Sequence, residues 1–308
     1  MLRSRACLFT SLSLSLAPAR ALNRLLYEPH ELSGRTVSVP ADDRRAQHVG
    51  RILRRAPGDT LRVGLVDGQP TDDAVLAAIE SDGALRIELP AATPDVHAPA
   101  PRPRVDLLLA LPRPLQLERI LPMVAQLGVG TLVLAGARKV ELSYWGSHLL
   151  RARDGAAHTR ACLLDGLAQC GDTALPRVTR AKDLARWCEE ELEALFPRDS
   201  VARVVAHPQR AGVPAHGRLR DVPDPAAGTP AGRGARTPSR LLLAVGPEGG
   251  WDEPDEVALL ERHGFMLITL GERVLRSDVA VVSLLALAHE TVRCWPPDEG
   301  ARGEGSAP

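Results

Sequence analysis

Over its second two-thirds the chain alternates two patterns: short unbroken apolar runs, and longer segments whose apolar residues recur every three or four positions. The runs are "VDLLLAL" (105–111), "VGTLVLAG" (129–136), "VARVVAH" (201–207), "RLLLAV" (240–245) and "FMLITLG" (265–271). Their length and continuity predict strands buried on both faces. The periodic segments predict helices: "PLQLERILPMVAQLG" (114–128), "GSHLLRARDGAAHTRACLLDGLAQCG" (146–171), "KDLARWCEEELEALF" (182–196), "DEPDEVALLERHG" (252–264) and "SDVAVVSLLALAHETVRCW" (277–295). The first of these stops at Gly128, since glycine readily closes a helix C-terminus. Strands alternating with helices imply a mostly parallel α/β sheet covered on both sides, over residues 104–295. Residues 209–239 interrupt it with a Gly-, Pro-, Ala- and Arg-rich stretch lacking a periodic apolar face, expected to be a disordered insertion. The tail at 296–308 is expected to be disordered too.

Residues 22–92 follow a different rhythm. "TVSVP", "TLRVGLVDG", "DDAVLAAIE" and "ALRIELP" are short alternating runs between Gly, Asp and Pro turns, which predict a small β-rich domain. Between the first two, "ADDRRAQHVGRILRRAPGD" sets Arg44, Arg45, His48, Arg51, Arg54 and Arg55 around Val49, Ile52 and Leu53, as a short amphipathic helix with a basic face would. A Pro-rich linker, "AATPDVHAPAPRPR", leads into the second domain.

Composition narrows the class. The 308 residues suffice for two moderate domains, and 38 basic side chains balance 38 acidic ones. Aromatics at 3% argue against a base-stacking platform of the RRM or OB type. The five cysteines (Cys7, Cys162, Cys170, Cys188, Cys294) contain no C-x-x-C pair and no zinc spacing, and read as free thiols of a reducing compartment, with no metal expected. No apolar run beyond the N-terminal region reaches membrane-spanning length. The leader, residues 1–20, has Arg3, Arg5, Arg20 and several serines, and no acid precedes Glu28. That composition predicts an organelle transit peptide, plastid or mitochondrial. A secretory signal with Arg3 and Arg5 as its basic start is the competing reading, and a two-part leader fits both.

The candidate chemistry lies in two loops. "GPEGG" (246–250) follows one buried strand and "LGERVLRSD" (270–278) follows another. In open α/β sheets ligands bind beyond the carboxyl ends of strands. Glycine lets the backbone approach a ligand closely. Neither loop is a P-loop, a G-x-G-x-x-G fingerprint or a G-x-S-x-G elbow. A tight turn accounts for one such loop; two of them, one helix and one strand apart, point to a binding site.

"AVGPEGGWDEPDEVALLERHGFMLITLGERVLRSDVA" resembles the C-terminal signature of the RsmE family, the ribosomal RNA uridine-N3 methyltransferases of the SPOUT superfamily. "HVGRILRRAPGD" resembles that family's N-terminal motif, and "LALPRPLQLERILPMVAQLGVGTLVLAGARKVELSYWGSHLL" a divergent branch of it. The resemblance implies a PUA-like β-barrel followed by an α/β trefoil-knot domain, S-adenosyl-L-methionine as cofactor, a homodimer, and N3 of a uridine in small-subunit (16S-type) rRNA as target. It implies that Gly246, Glu248, Gly249 and Gly250, with Leu270, Gly271, Arg273, Leu275 and Arg276, bind the cofactor. Arg276 is the candidate cation for charge developing on the uracil, and Asp278 its polar partner or a helix cap. Arg24, Arg44, Arg45, His48, Arg51, Arg54 and Arg55 are the expected RNA contacts, reaching phosphates of rRNA or of the assembling small subunit. Histidines 30, 97, 148, 207, 216, 263 and 289 are expected to be surface or packing residues, and Tyr144 and Trp145 fit either an interface or the target base. Departures from the family pattern stand at Asp278-Val279-Ala280, at Ala125-Gln126 and at "AQCGDT" (168–173). A non-catalytic RNA-binding or assembly factor that keeps the fold, and a methyltransferase acting on another RNA such as tRNA, are the alternatives.

Overall fold

The computed structural model describes residues 23–93, 95–209, 216–227 and 238–295. The expected leader (1–20) and tail (296–308) lie outside the described residues.

The N-terminal part is one six-stranded sheet built from β1 (Leu25–Tyr27), β2 (Leu32–Ser33), β3 (Thr36–Val39), β4 (Thr60–Leu65), β5 (Pro70–Ile79) and β6 (Leu85–Glu88), in the order β1-β4-β5-β6-β3-β2. Only the β1–β4 pair is parallel. Shifts of register in β4 and β5 bend the sheet into a nearly closed barrel. Alternate residues point inward: Val37, Val39, Val63, Leu76, Leu85 and Ile87 make its core with Tyr27. Helix α1 is short, Arg44–Gln47, and continues as one wide π-type turn, His48–Ile52. Ala46 and Val49 enter the barrel core, but Ile52, expected on the same apolar face, is exposed, because the wider turn rotates it outward.

The C-terminal sheet is wholly parallel, in the order β12-β10-β11-β7-β8-β9. Its strands are β7 (Val105–Ala110), β8 (Val129–Ala135), β9 (Arg177–Ala181), β10 (Val201–Ala206), β11 (Arg240–Val245) and β12 (Met266–Ile268). The helices are α2 (Pro114–Gln126), α3 (Gly155–Cys170), α4 (Leu184–Glu190), α5 (Leu192–Leu195), α6 (Asp255–Arg262) and α7 (Ser277–Cys294). The continuous apolar strands are explained by two cores. Leu107 and Leu109 of β7 pack with α2, α3 and α7 on one face, while Leu108 and Ala110 pack with α4, α5 and α6 on the other. After β12 at one edge of the sheet, α7 returns across it to pack on β11, β7 and α2. This crossing brings the loops after β11 and β12 together. The expected α/β sheet preceded by a barrel is therefore the architecture found.

Three expectations need correction. Residues 147–154 are not helical: α3 starts only at Gly155, where a Cβ would lie 2.7 Å from the backbone of Leu150, so the chain folds tightly on itself there. Strand β9 was not foreseen, because an edge strand carrying Arg177 and Arg180 shows no apolar run. The insertion is ordered at its centre. Gly217 bridges to Ile268, and a turn at Leu219–Asp221 buries Leu219 and Val222 in the main core, where Trp295 Nε1 donates to Val222 O (3.3 Å). An i, i+3 pair on a 3₁₀ turn shares one face, which two apolar residues in a polar stretch do not advertise. Residues 210–215 and 228–237 lie outside the described residues.

The barrel is locked to the sheet domain by Arg24, which is buried and therefore not an RNA contact. Its main-chain N–H donates to Ala168 O at the end of α3 (2.8 Å), its Nε to Gly171 O (2.8 Å), and its Nη1 to Val63 O (2.7 Å). Nη2 pairs with Asp72 at 2.7 Å. Burial pushes the Asp72 carboxyl up, but the hydrogen bond and charge of Arg24, aided by Arg62, outweigh it and hold the group below the usual range. Thr173 Oγ1 donates to Gly68 O (2.6 Å) beside it. Gly64 lets the joint close: a Cβ there would come within 2.5 Å of Thr173 Cγ2. Arg24 is the buried member of the pair, while Asp72 is partly exposed and keeps Arg62, so the cost of removing Arg24 falls mainly on the carbonyls it holds. Arg24→Ala is thus expected to cost roughly 2 kcal/mol and to raise amide exchange in β4 and β5. An unchanged urea midpoint with unchanged exchange would show that the joint is held elsewhere.

Candidate functional site

Val245 ends β11, and the chain then turns through Gly246–Pro254 before α6. Gly250 has φ +68°, a left-handed conformation that glycine adopts without strain, and its N–H closes a turn on Pro247 O (2.8 Å). At Gly246 a Cβ would sit 3.0 Å from Trp251 N, so the loop lies directly on its own next segment. The Trp251 side chain is fully buried and anchors the loop in the core shared with α4 and α6. Polar groups hold it from above. Glu248 Oε1 accepts the N–H of Arg113 at the start of α2 (3.0 Å). Lys139 Nζ donates to Gly249 O (3.1 Å) and Trp251 O (3.3 Å). Arg138 pairs with Asp252 and Asp255, and Glu256 accepts the N–H groups of Arg138 and Asp252 (2.7 Å each).

The loop after β12 spans Thr269 to Arg276. Gly271 has φ +113°, and Thr269 Oγ1 accepts its N–H at 3.1 Å. Arg276 is the N-cap of α7 and Asp278 lies in the first turn. Asp278 Oδ2 pairs with Arg276 Nη2, and Oδ1 accepts the N–H of Val279, both at 2.9 Å. The neighbouring Gln116 amide, whose effect outweighs that of burial, and the charge of Arg276 hold the Asp278 carboxyl below the usual carboxylate range. Asp278 is thus paired with Arg276, but it is not the helix cap expected as the alternative, because Arg276 holds the N-cap position and no side chain caps the helix there.

These loops and the start of α2 enclose a cavity of about 1140 Å³. All nine expected cofactor residues, Gly246, Glu248, Gly249, Gly250, Leu270, Gly271, Arg273, Leu275 and Arg276, lie on its wall; Asp278 does not, and reaches it only through Arg276. Apolar surface is supplied by Val245, Leu270, Leu275, Ala280 and Leu284. Gln116, Lys139, His207 and Glu253 are among the wall residues that sequence reasoning missed. His207 directly follows β10 and its ring Nε2 pairs with Glu253, so it belongs to the cavity rather than to surface packing. Its place at a strand's carboxyl end was the available signal. A carboxylate on an imidazole is an arrangement able to take up and hold a proton.

Arg44, Arg45, His48, Arg51 and Arg55 of the expected RNA residues line a second groove, of about 1230 Å³, between the barrel and α3, as does the buried Arg24; Arg54 does not line it. Arg45 is not free: it is half-buried against Leu26 O and pairs with Glu31 and Asp43, whose hydrogen bonds raise its pKa against the opposing effect of burial. Arg44, Arg51 and Arg54 are exposed and Arg55 is partly so. His48 is half-buried on the groove wall. Arg44 lies 4.0 Å from Asp165 across the groove. Among the described residues no cluster of His, Cys, Asp and Glu is arranged to hold a metal, and no helix is long and apolar enough to cross a membrane.

Glycine loops facing a half-open cavity beyond the strand ends define a cofactor-binding α/β domain, and its class is given by a family profile. The chain belongs to the RNA methyltransferase domain family, which matches residues 99–289. It is 27% identical to the ribosomal RNA small subunit methyltransferase E of Treponema pallidum over 93% of this chain and 98% of that one. The fold is shared with the corresponding enzyme of Neisseria gonorrhoeae, solved bound to S-adenosyl methionine (TM-score 0.62, 21% identity, 86% of this chain and 95% of that one). It is likewise shared with a probable rRNA-methyltransferase of Porphyromonas gingivalis (TM-score 0.62, 20% identity, 89% and 100%). The RsmE family resemblance of the two loop motifs stands on these matches.

Because the folded pKa of Asp278 is depressed, its contribution to stability is present above the unfolded value near 4 and is lost as pH falls through the folded value. Between about pH 5 and 9 it therefore stays ionised. Asp278→Asn is expected to lower the methyl-transfer rate by the same factor throughout that window. A wild-type to variant ratio that changes with pH would contradict its role as a fixed anion.

Proposed function

We propose that the chain is an S-adenosylmethionine-dependent methyltransferase that acts on N3 of a uridine in small-subunit rRNA. The observation that carries this reading is the convergence of both glycine loops, with Arg276 between loop and helix, on one cavity. The cavity's fit to the cofactor rests on its volume and its wall: backbone unshielded by Cβ at Gly249, Gly250 and Gly271, and an apolar patch able to take an adenine. When bound, the cofactor supplies an electrophilic methyl group, so the protein's own work is placement and charge.

The glycines of 246–250 and Gly271 let main-chain groups approach, while Leu270, Leu275 and Leu284 exclude water. Uracil N3 must lose its proton as the new N–C bond forms. Arg276, held by Asp278 through one nitrogen, keeps other guanidinium N–H groups for the uracil oxygens on which negative charge grows. Arg44, Arg51, Arg54 and Arg55 contribute phosphate contacts along the barrel.

Incubating the full chain with methyl-labelled S-adenosylmethionine and small-subunit rRNA should label one uridine. N3 methylation blocks Watson–Crick pairing, so the site appears as a reverse-transcription stop. Arg276→Ala should lower the rate by about 10²–10³-fold. Label at a carbon or a ribose oxygen, or in tRNA alone, would overturn the assignment.

A further inference from the structure

One wall of the cavity takes no part in holding the loops. Beyond the ends of β8 and β9 the chain forms a 3₁₀ turn, Leu142–Gly146. Tyr144 is half-buried and lines the cavity. Trp145 is also half-buried and does not line it, and the ammonium of Lys182 lies 5.6 Å from its ring centroid. Leu142 is 86% exposed, a large apolar side chain left open to solvent. Lys182 follows β9 directly and packs against Gly136, where a Cβ would meet Lys182 O. The ridge thus runs from the cavity to the sheet's outer edge.

Charge on this ridge is unevenly matched. Arg138 is paired with Asp252 and Asp255, and Arg151 with Asp154. Lys182 and Arg180 have no carboxylate partner among the described residues. The exposed carboxylate on the turn's approach is Glu141. Two adjacent aromatic rings with unmatched cations, at the mouth of a cavity, form the combination that holds single-stranded nucleic acid. The rings supply sequence-tolerant stacking and the cations contact phosphates.

We propose that Tyr144, Trp145 and Lys182 form the docking surface for the single-stranded RNA segment that carries the target base. This rests on the methyltransferase reading above. The target base enters the cavity against Tyr144, and its neighbour stacks on Trp145. That base takes the ring face covered by Lys182, and the displaced ammonium moves to the adjoining phosphate. Tyr144 and Trp145 pack in part against the main core, and RNA is favoured over a protein partner because the ridge sets cations beside the exposed parts of these rings instead of a continuous apolar face.

Trp187, Trp251 and Trp295 are buried and Trp145 is half-buried, so Trp145 is the most accessible tryptophan, and its substitution separates its signal from that of Trp251 on the cavity wall. The full chain is titrated with a short single-stranded oligouridine, and with inorganic polyphosphate as a charge-only probe. The oligouridine is expected to quench tryptophan fluorescence saturably and polyphosphate is not. Trp145→Leu should abolish the quench and weaken oligouridine binding roughly tenfold. Lys182→Gln should weaken binding several-fold and reduce its salt dependence. Both variants should bind S-adenosylmethionine as the parent does. Equal quenching by polyphosphate, or undiminished oligouridine binding by both variants, would overturn the proposal. A Trp145-dependent quench in a protein that transfers no methyl group would retain the docking surface and reject the methyltransferase reading instead.

Discussion

The site depends on holding a glycine-rich turn open at the end of a buried strand. Such a turn has little side-chain contact of its own, and left alone it would collapse onto the sheet or fray. Here it is held from both sides. The Trp251 side chain is buried beneath it, and above it the Glu248 carboxylate ties it to α2 while the Lys139 ammonium takes two of its carbonyls. Arg138 and Glu256 then fix the approach to α6. The cavity is the space these contacts keep clear. The second loop closes it because α7 must return across the sheet from β12.

The same economy explains the acidic residues near the site. Glu248 is a brace and Asp278 a fixed anion; neither faces the cavity as a free base. The carboxylate that meets a titratable partner on the wall is Glu253, on His207. Charge in this cavity is therefore positioned mainly to hold Arg276 and the loop backbone, which suits a reaction whose electrophile comes already activated.

The strands and glycine loops were legible in the sequence because they are local. Continuous apolar runs report burial on both faces, while Gly246 and Gly249 report backbone that a Cβ would crowd, and Gly250 and Gly271 a backbone conformation that favours glycine. What was not legible depends on distant partners. Arg24 and Arg45 resemble RNA-binding arginines until Asp72, Gly171, Glu31 and Asp43 are brought beside them. Leu219 and Val222 become core only through Trp295 and the sheet. Residues 168–173 join α3 to the barrel: Ala168 and Gly171 through main-chain carbonyls that any residue would supply, and Thr173 through its own hydroxyl. The basic groove therefore sits over this joint, with Arg51 exposed, Arg44 and Arg55 within 4.0 Å of Asp165 and Asp59, and Arg24 and Arg45 committed to closer partners.

The central claim is that the loop at 246–250 holds the cofactor. Isothermal titration of S-adenosylmethionine into the full chain, beside Gly249→Val, tests it most directly. A Cβ at Gly249 meets Lys139 at 3.1 Å, so the branched side chain displaces the brace as well as filling the approach. Saturable binding to the parent, lost in a variant with an unchanged circular dichroism spectrum, is the predicted result. Equal affinity in both proteins, or no binding by the folded parent, would contradict the account.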